Sequence, residues 1–312
     1  MSTAPFPVDP VLTGIALAYE NNALIADSVL PRLDPPLEKE EFTWLKFALG
    51  EEYTIPDTKV GRKSAPSEVE FSATRQTGRT QDYGLDDLIP YNDNRNAPLG
   101  YDPISFATEQ LAELIALDRE RRVANLVFQN ALYAAANKVT LSGTSQWSDF
   151  TNSNPISDIL TGLDATIMRP NVAVMGRAVY TKLAQHPKIV KAYFGNAGDS
   201  GVVPRSFLAQ LFELDEVLVG ESFVNTAKKG QTPTVARCWG KSMLLFKRNP
   251  LARNETNTVT FGYTAQYGQR VAGQIDEPKV GLRGATRVRV GESVQEVISG
   301  AEVAYYIENA VA

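Results

Sequence analysis

The sequence predicts an α+β chain, and three observations carry that prediction. The stretch Asp102 to Ala136 has no glycine and no proline after Pro103, so it reads as one long helix. Residues from Phe42 to Pro90 show strand patterning around a tip rich in Gly, Pro and Ser, the mark of an extended two-stranded excursion. From Pro155 onward helical and strand patterns alternate, as they do where helices cover a small sheet.

Composition bounds the class of protein. With 312 residues and 43% hydrophobic content the chain is able to bury a large core in two compact units. No apolar run reaches the ~20 residues of a membrane span, and the first ten residues lack the basic-then-apolar order of a signal peptide, so no membrane role and synthesis in the cytoplasm are expected. The single Cys238 excludes an internal disulfide. A net charge of −5, from 36 acidic and 31 basic residues, argues against a surface that clamps nucleic acid through many phosphates.

Taken in order, residues 1–41 form an arm. Six prolines surround one helical patch, Val11 to Tyr19, while Leu24, Ile25, Val29 and Leu30 require a surface supplied by something else. The excursion follows over 42–92. Val69, Phe71 and Ala73 alternate with polar residues, its tip holds Lys59, Arg62 and Lys63, and its base holds Asp82, Asp86 and Asp87. A lone ribbon of this kind is marginal by itself, so it folds back on its own domain or lies on a neighbour. The long helix has an N-cap at Asp102 and Pro103 at its first position. Roughly 35 residues give a rod of about 50 Å. Its ends are apolar and its middle, Asp118 to Arg122, is continuously charged; Asp118 and Arg122 pair four residues apart, leaving Arg119 and Arg121 to reach partners outside the helix.

The second unit begins near Pro155 and is read as a helix within Pro155 to Ile167, a strand at Asn171 to Gly176, a helix from Arg177 broken at His186-Pro187, a helix near Ser206 to Leu214 and a strand in DEVLVG. TVARCWGKSMLLFK reads as one long strand. Residues 236–312 are strand-like, with an apolar last strand that returns to a sheet.

Chemistry is hard to place on these residues. His186 is the one histidine and precedes a proline in a helix break, where a capping role is commoner than catalysis. The glycines of Gly195 to Gly201 follow a helix and lack the lysine and Ser/Thr of a phosphate loop. Glu51/Glu52 and Asp86/Asp87 are sequence neighbours, which a strand points to opposite faces. Asn254 carries an N-x-T without secretory context, and Lys228-Lys229-Gly230 reads as a solvated loop. No catalytic residue, metal site or cofactor is predicted.

Several stretches in their order carry a resemblance. ALAYENNALIADSVLPRL resembles the arm motif, VGRKSAPSEVEFSATRQTGRTQDYGLDDLIP the extended loop and YDPISFATEQLAELIALDRERRVANLVF the spine-helix entry of tailed-bacteriophage major capsid proteins of the Hong Kong 97 fold. NVAVMGRAVYTKLAQHPKIVKAY, LAQLFELDEVLVGESFVNTA and WGKSMLLFKRN resemble their axial-domain elements. The resemblance implies an arm (1–41), an extended loop (42–92), a peripheral domain with the spine helix (93–154), an axial domain (155–235) and strands returning to the peripheral domain (236–312).

It further implies self-assembly into pentamers and hexamers of an icosahedral virion shell enclosing packaged double-stranded DNA, with DNA contact weak and non-specific. Portal and decoration proteins are implied partners. Because the arm starts almost at Met1, a separate scaffolding protein or none is expected. An encapsulin-type compartment shell and an α+β enzyme are the alternatives. Lys59, Arg62, Lys63, Arg119 and Arg121 are the candidate contacts between subunits.

Overall fold

The computed structural model describes residues 8–18, 23–47, 54–66, 68–69, 73–195, 200–228, 230–249 and 259–312. The arm supplies helix α1 (Pro10–Ala18) and the one-turn α2 (Ala26–Val29). Strands β1 (Glu41–Phe47) and β2 (Ala73–Arg79) form the excursion, and β3 (Gln81–Pro90) leads through α3 (Tyr91–Arg95) to the long helix α4 (Pro103–Val127). Asp102 caps α4 as expected: its carboxylate accepts from the amides of Ile104 at 3.1 Å and Ser105 at 3.4 Å, and Pro103 has no amide to satisfy.

The helix is shorter than the sequence suggests, 25 residues, or about 37 Å. After Phe128 the chain breaks into single turns at Asn130–Leu132 and Ala135–Asn137. Tertiary contacts outweigh helical propensity here. The Tyr133 hydroxyl donates to the Val127 carbonyl at 2.7 Å, and its ring stacks on Tyr306 at a centroid distance of 5.2 Å.

Beyond β4 (Lys138–Thr140) come α5 (Pro155–Ala165), β5 (Val172–Gly176), α6 (Arg177–Ala184), α7 (Pro187–Phe194), α8 (Arg205–Leu211) and β6 (Glu216–Gly220), close to the expected bounds. The expected long strand is two: β8 (Val235–Arg237), paired with β7 (Phe223–Asn225), and β9 (Met243–Phe246). Between them Trp239 turns fully inside. The space exists because β5 and β6 end in glycine. A Cβ on Gly220 would lie 2.0 Å from Trp239 Cδ1, and one on Gly176 would lie 2.0 Å from the Gly240 carbonyl oxygen.

The central sheet runs β4-β12-β9-β5-β6, with β12 spanning Ala304–Glu308. β9 and β12 thus join β5 and β6, so this sheet draws on strands from beyond residue 235 as well as from 155–235. Both faces are covered, which is why VAVMG and MLLF are buried throughout. Alternation assigns the faces. Ala173, Met175 and Leu245 pack with Ile159, Leu163, Val179, Ile189 and Leu208 of the helices. Val172, Val174, Leu244 and Phe246 pack with Val123, Ala124 and Val127 of α4 and with Ile25, Val29 and Leu30 of the arm.

A second sheet, β10-β11-β3, is built on the long antiparallel pair β10 (Gly262–Glu277) and β11 (Ala285–Ile298). The front half of α4 packs beneath it through Ala107, Leu111, Ala112 and Ile115, together with Leu12 and Ala16 of α1. The arm therefore finds its surface within its own chain, bridging to β10 at Val8↔Gly273, Arg32↔Thr264 and Leu37↔Tyr267. The excursion also divides: β1 and β2 pair from Glu41↔Arg79 to Phe47↔Ala73, whereas β3 leaves them to pair with β11. Phe71 and Glu51/Glu52 lie outside the described residues.

Candidate functional site

With no catalytic constellation expected, the candidate site is the set of surfaces and charged groups by which the chain is able to meet others. The tip residues Lys59, Arg62 and Lys63 lie in the segment 54–66, every residue of which is exposed. At the base, the Asp82 carboxylate accepts from the Ser293 hydroxyl. Asp86 is engaged across the register by Arg289, whose Nε and Nη2 both donate at 2.7 Å, and by Arg287 at 3.3 Å. The Arg289 hydrogen bonds hold the Asp86 carboxyl below its ordinary value despite partial burial. Asp87, a strand neighbour of Asp86, is also exposed.

The charged band of α4 is divided between inside and outside. Asp118 pairs with Arg122 as the spacing predicted. Arg122 continues to Glu296 of β11 at 2.9 Å, with its guanidinium 3.6 Å over the Tyr83 ring. Arg121 is exposed. Arg119, expected at an interface between copies, is 2% exposed and faces its own chain. It pairs with Asp27 and donates to the Leu30 carbonyl at 3.1 Å and the Thr264 hydroxyl at 2.9 Å. A side chain enclosed in this way presents no surface to a neighbour.

Around Arg119 a charged clasp holds the arm. Arg32 reaches Asp27, Gln266 and Glu292, while Arg270 reaches Glu292 and the Ala16 carbonyl at the end of α1. Burial raises the Glu292 carboxyl, but Arg32 and Arg270 outweigh it and hold the group below its ordinary value. Glu120 behaves oppositely. Burial pushes its carboxyl up although the Trp239 indole, the amides of Ile25 and Ala26 and the Ser222 hydroxyl all donate to it.

Sequence reasoning passed over Glu120 and misplaced Arg119, yet a signal was present. Leu111, Ile115, Val123 and Val127 are buried at spacings of four or eight, and Arg119 fills the gap in that row. Ala112, Glu120 and Ala124 form the adjacent row.

His186 is fully buried and caps α7, its Nδ1 accepting from the Lys188 amide at 3.3 Å, while its Nε2 lies 3.0 Å from the Ser153 hydroxyl. Burial and then Lys188 lower its pKa. Among the described residues no group of three His, Cys, Asp or Glu side chains is placed to hold a metal, and no helix is long and apolar enough to cross a membrane. Gly195 lies after α7 with φ +64°, and residues 196–199, Lys229 and Asn254 are outside the described residues.

Comparison with known proteins converges. The model of the phage major capsid protein E family matches residues 127–277. The major capsid protein of Pseudomonas phage JBD67 is 52% identical over 312 residues, 100% of both chains. That of Burkholderia phage BcepMu is 28% identical, over 96% of this chain and 95% of its own. Among solved structures, a phage-related protein of Bordetella bronchiseptica RB50 aligns with TM-score 0.76 at 23% identity over 98% of each chain. The capsid protein of cyanophage P-SCSP1u aligns with TM-score 0.59 at 12% identity over 93% of this chain and 89% of that one, a likeness of fold alone.

Proposed function

The chain belongs to the phage major capsid proteins, structural components of the virion capsid with the Hong Kong 97-type fold, and from that premise we propose how its surfaces serve assembly. Copies associate into pentamers and hexamers that tile an icosahedral shell around packaged double-stranded DNA, assembled in the host cytoplasm. The observation that carries this reading is the β1–β2 ribbon. It is a two-stranded sheet joined to no other strand among the described residues, and the segment 54–66, between β1 and β2 in sequence, is wholly exposed. Two strands alone are marginal in water, and a neighbour supplies the missing contacts. A standard stable interface buries ~1,600 Å², and a subunit in a shell makes several.

Lys59, Arg62 and Lys63 are then contacts to acidic groups of an adjacent subunit, since Asp86 at the base of the excursion is already neutralised by Arg289 and Arg287. Arg121, exposed on the long helix, is the contact retained from the charged band. A separate scaffolding protein, a portal and decoration proteins are the partners such a shell calls for, and contact with the enclosed DNA is weak and non-specific at a net charge of −5. The 52% identity to a phage major capsid protein favours this reading over an encapsulin-type compartment. Electron microscopy and size-exclusion chromatography of the purified protein test it: closed shells are expected, and a persistent folded monomer at high concentration with scaffold supplied would refute it.

A further inference from the structure

Glu120 is the group on the long helix that the assembly reading leaves unused. It is 0% exposed, and among the described residues it forms no ion pair. Its donors are neutral and come from segments that share no strand or helix. From the arm, the Ile25 amide lies at 3.0 and 3.1 Å from its two oxygens and the Ala26 amide at 2.7 Å. From the axial unit come the Trp239 indole N–H at 2.5 Å and, more distantly, the Ser222 hydroxyl at 3.4 Å.

A buried carboxylate is tolerated only where hydrogen bonds offset its desolvation, and removing it strands every donor it served. The one-turn helix α2 has no side-chain cap of its own at Ile25. Its free amides are capped instead from another helix, by the same carboxylate that holds Trp239. Trp239 in turn sits against Gly220, the last residue of β6. Apolar contact limits separation but permits sliding, whereas these directional bonds set the register of three bodies at one point.

We propose that Glu120 is a positioning residue for assembly: a three-way joint that sets where the arm leaves the subunit and how the axial sheet sits on the long helix, and so the curvature of the shell. This inference rests on the assembly reading above. It is tested first on full-length Glu120→Gln, held below the concentration at which it assembles. One side-chain oxygen then replaces two and an NH2 faces the donors. Hydrogen exchange at the Ile25 and Ala26 amides should accelerate at least about tenfold, the equivalent of losing ~1.4 kcal/mol of hydrogen bonding, while the amides of the central sheet keep wild-type exchange.

On assembly, the variant's particles should spread in diameter or fail to close. Arm exchange within threefold of wild type, or wild-type particles from the variant, overturns the proposal. Should Glu120→Gln not fold, the Ser222→Ala/Trp239→Phe variant removes only the axial donors. It should keep the arm amides protected and still spread the diameters, and uniform wild-type particles would overturn the joint. Exchange is read on the dispersed subunit, so failure of the wild type to form shells would strike the assembly reading and leave the exchange result to judge the joint by itself.

Discussion

At the scale of single residues, two arginines two positions apart on one helix have different work. Arg119 is enclosed, and its truncation takes one of the two donors from the Leu30 carbonyl, the Thr264 hydroxyl remaining as the other, and removes the donor that hydroxyl accepts from. Asp27 stays 63% exposed and paired with Arg32, so no buried charge is stranded, and the loss is that of the hydrogen bonds Arg119 donates, about 1–3 kcal/mol. Arg119→Met should therefore lower the urea midpoint of the dispersed subunit by that order, with Arg119→Lys between it and wild type because lysine keeps the charge and loses the planar fork. Arg121→Glu lies on the surface and should leave the midpoint within about 0.5 kcal/mol while reducing shell yield.

The buried carboxylates predict opposite pH slopes. Glu292 is held below its ordinary value, so its contribution is complete above that ordinary value and is lost as pH falls through the lowered one. Glu120 is raised, so its contribution is present below its ordinary value and lost as pH rises through the raised one. In denaturation midpoints measured across pH, Glu292→Gln should remove part of the acid-side fall. Glu120→Gln should be less stable throughout, yet lack part of the decline on the other side. Identical curve shapes in all three proteins would contradict both assignments.

At the scale of elements, the loop between β8 and β9 exists because two strand ends carry no side chain. A methyl on Gly220 would overlap the ring of a tryptophan that is itself fully buried between α4 and the sheet. Overpacking of this kind costs typically about 1–3 kcal/mol. Gly220→Ala is expected to lower the melting temperature and shift Trp239 emission toward longer wavelength. At Gly143, where nothing lies within 4 Å of a new Cβ, the cost of alanine is set instead by its backbone φ of +55°.

At the scale of the whole molecule, one chain buries its own arm and sends out its ribbon. Reversing Lys59, Arg62 and Lys63 to Glu should leave subunit melting unchanged, because all three are exposed. Shell yield should fall most at low salt. Each contact contributes only ~0.2–1 kcal/mol, but it is repeated in every copy and steers register. Equal yields from wild type and variant at every ionic strength would remove the tip from the interface.

The sequence by itself determined the α+β class, the capped start of the long helix, most element bounds between Pro155 and Gly220 and the capping role of His186, because each rests on local spacing, on a proline or on a hydrogen bond within a few residues. The likeness to phage capsid proteins was also legible, carried by the order of several moderate motifs. Only the tertiary structure decided that the arm lies on its own chain, that the helix stops at Val127, that TVARCWGKSMLLFK breaks at Trp239, and that Arg119 and Glu120 turn inward. The reason is distance along the chain: Glu120 meets partners 95 and 119 residues away, and Arg119 meets Thr264 at a separation of 145. Helix periodicity marks which face is buried, but which segments cover that face, and which donors satisfy a carboxylate there, is settled only when those segments are brought together.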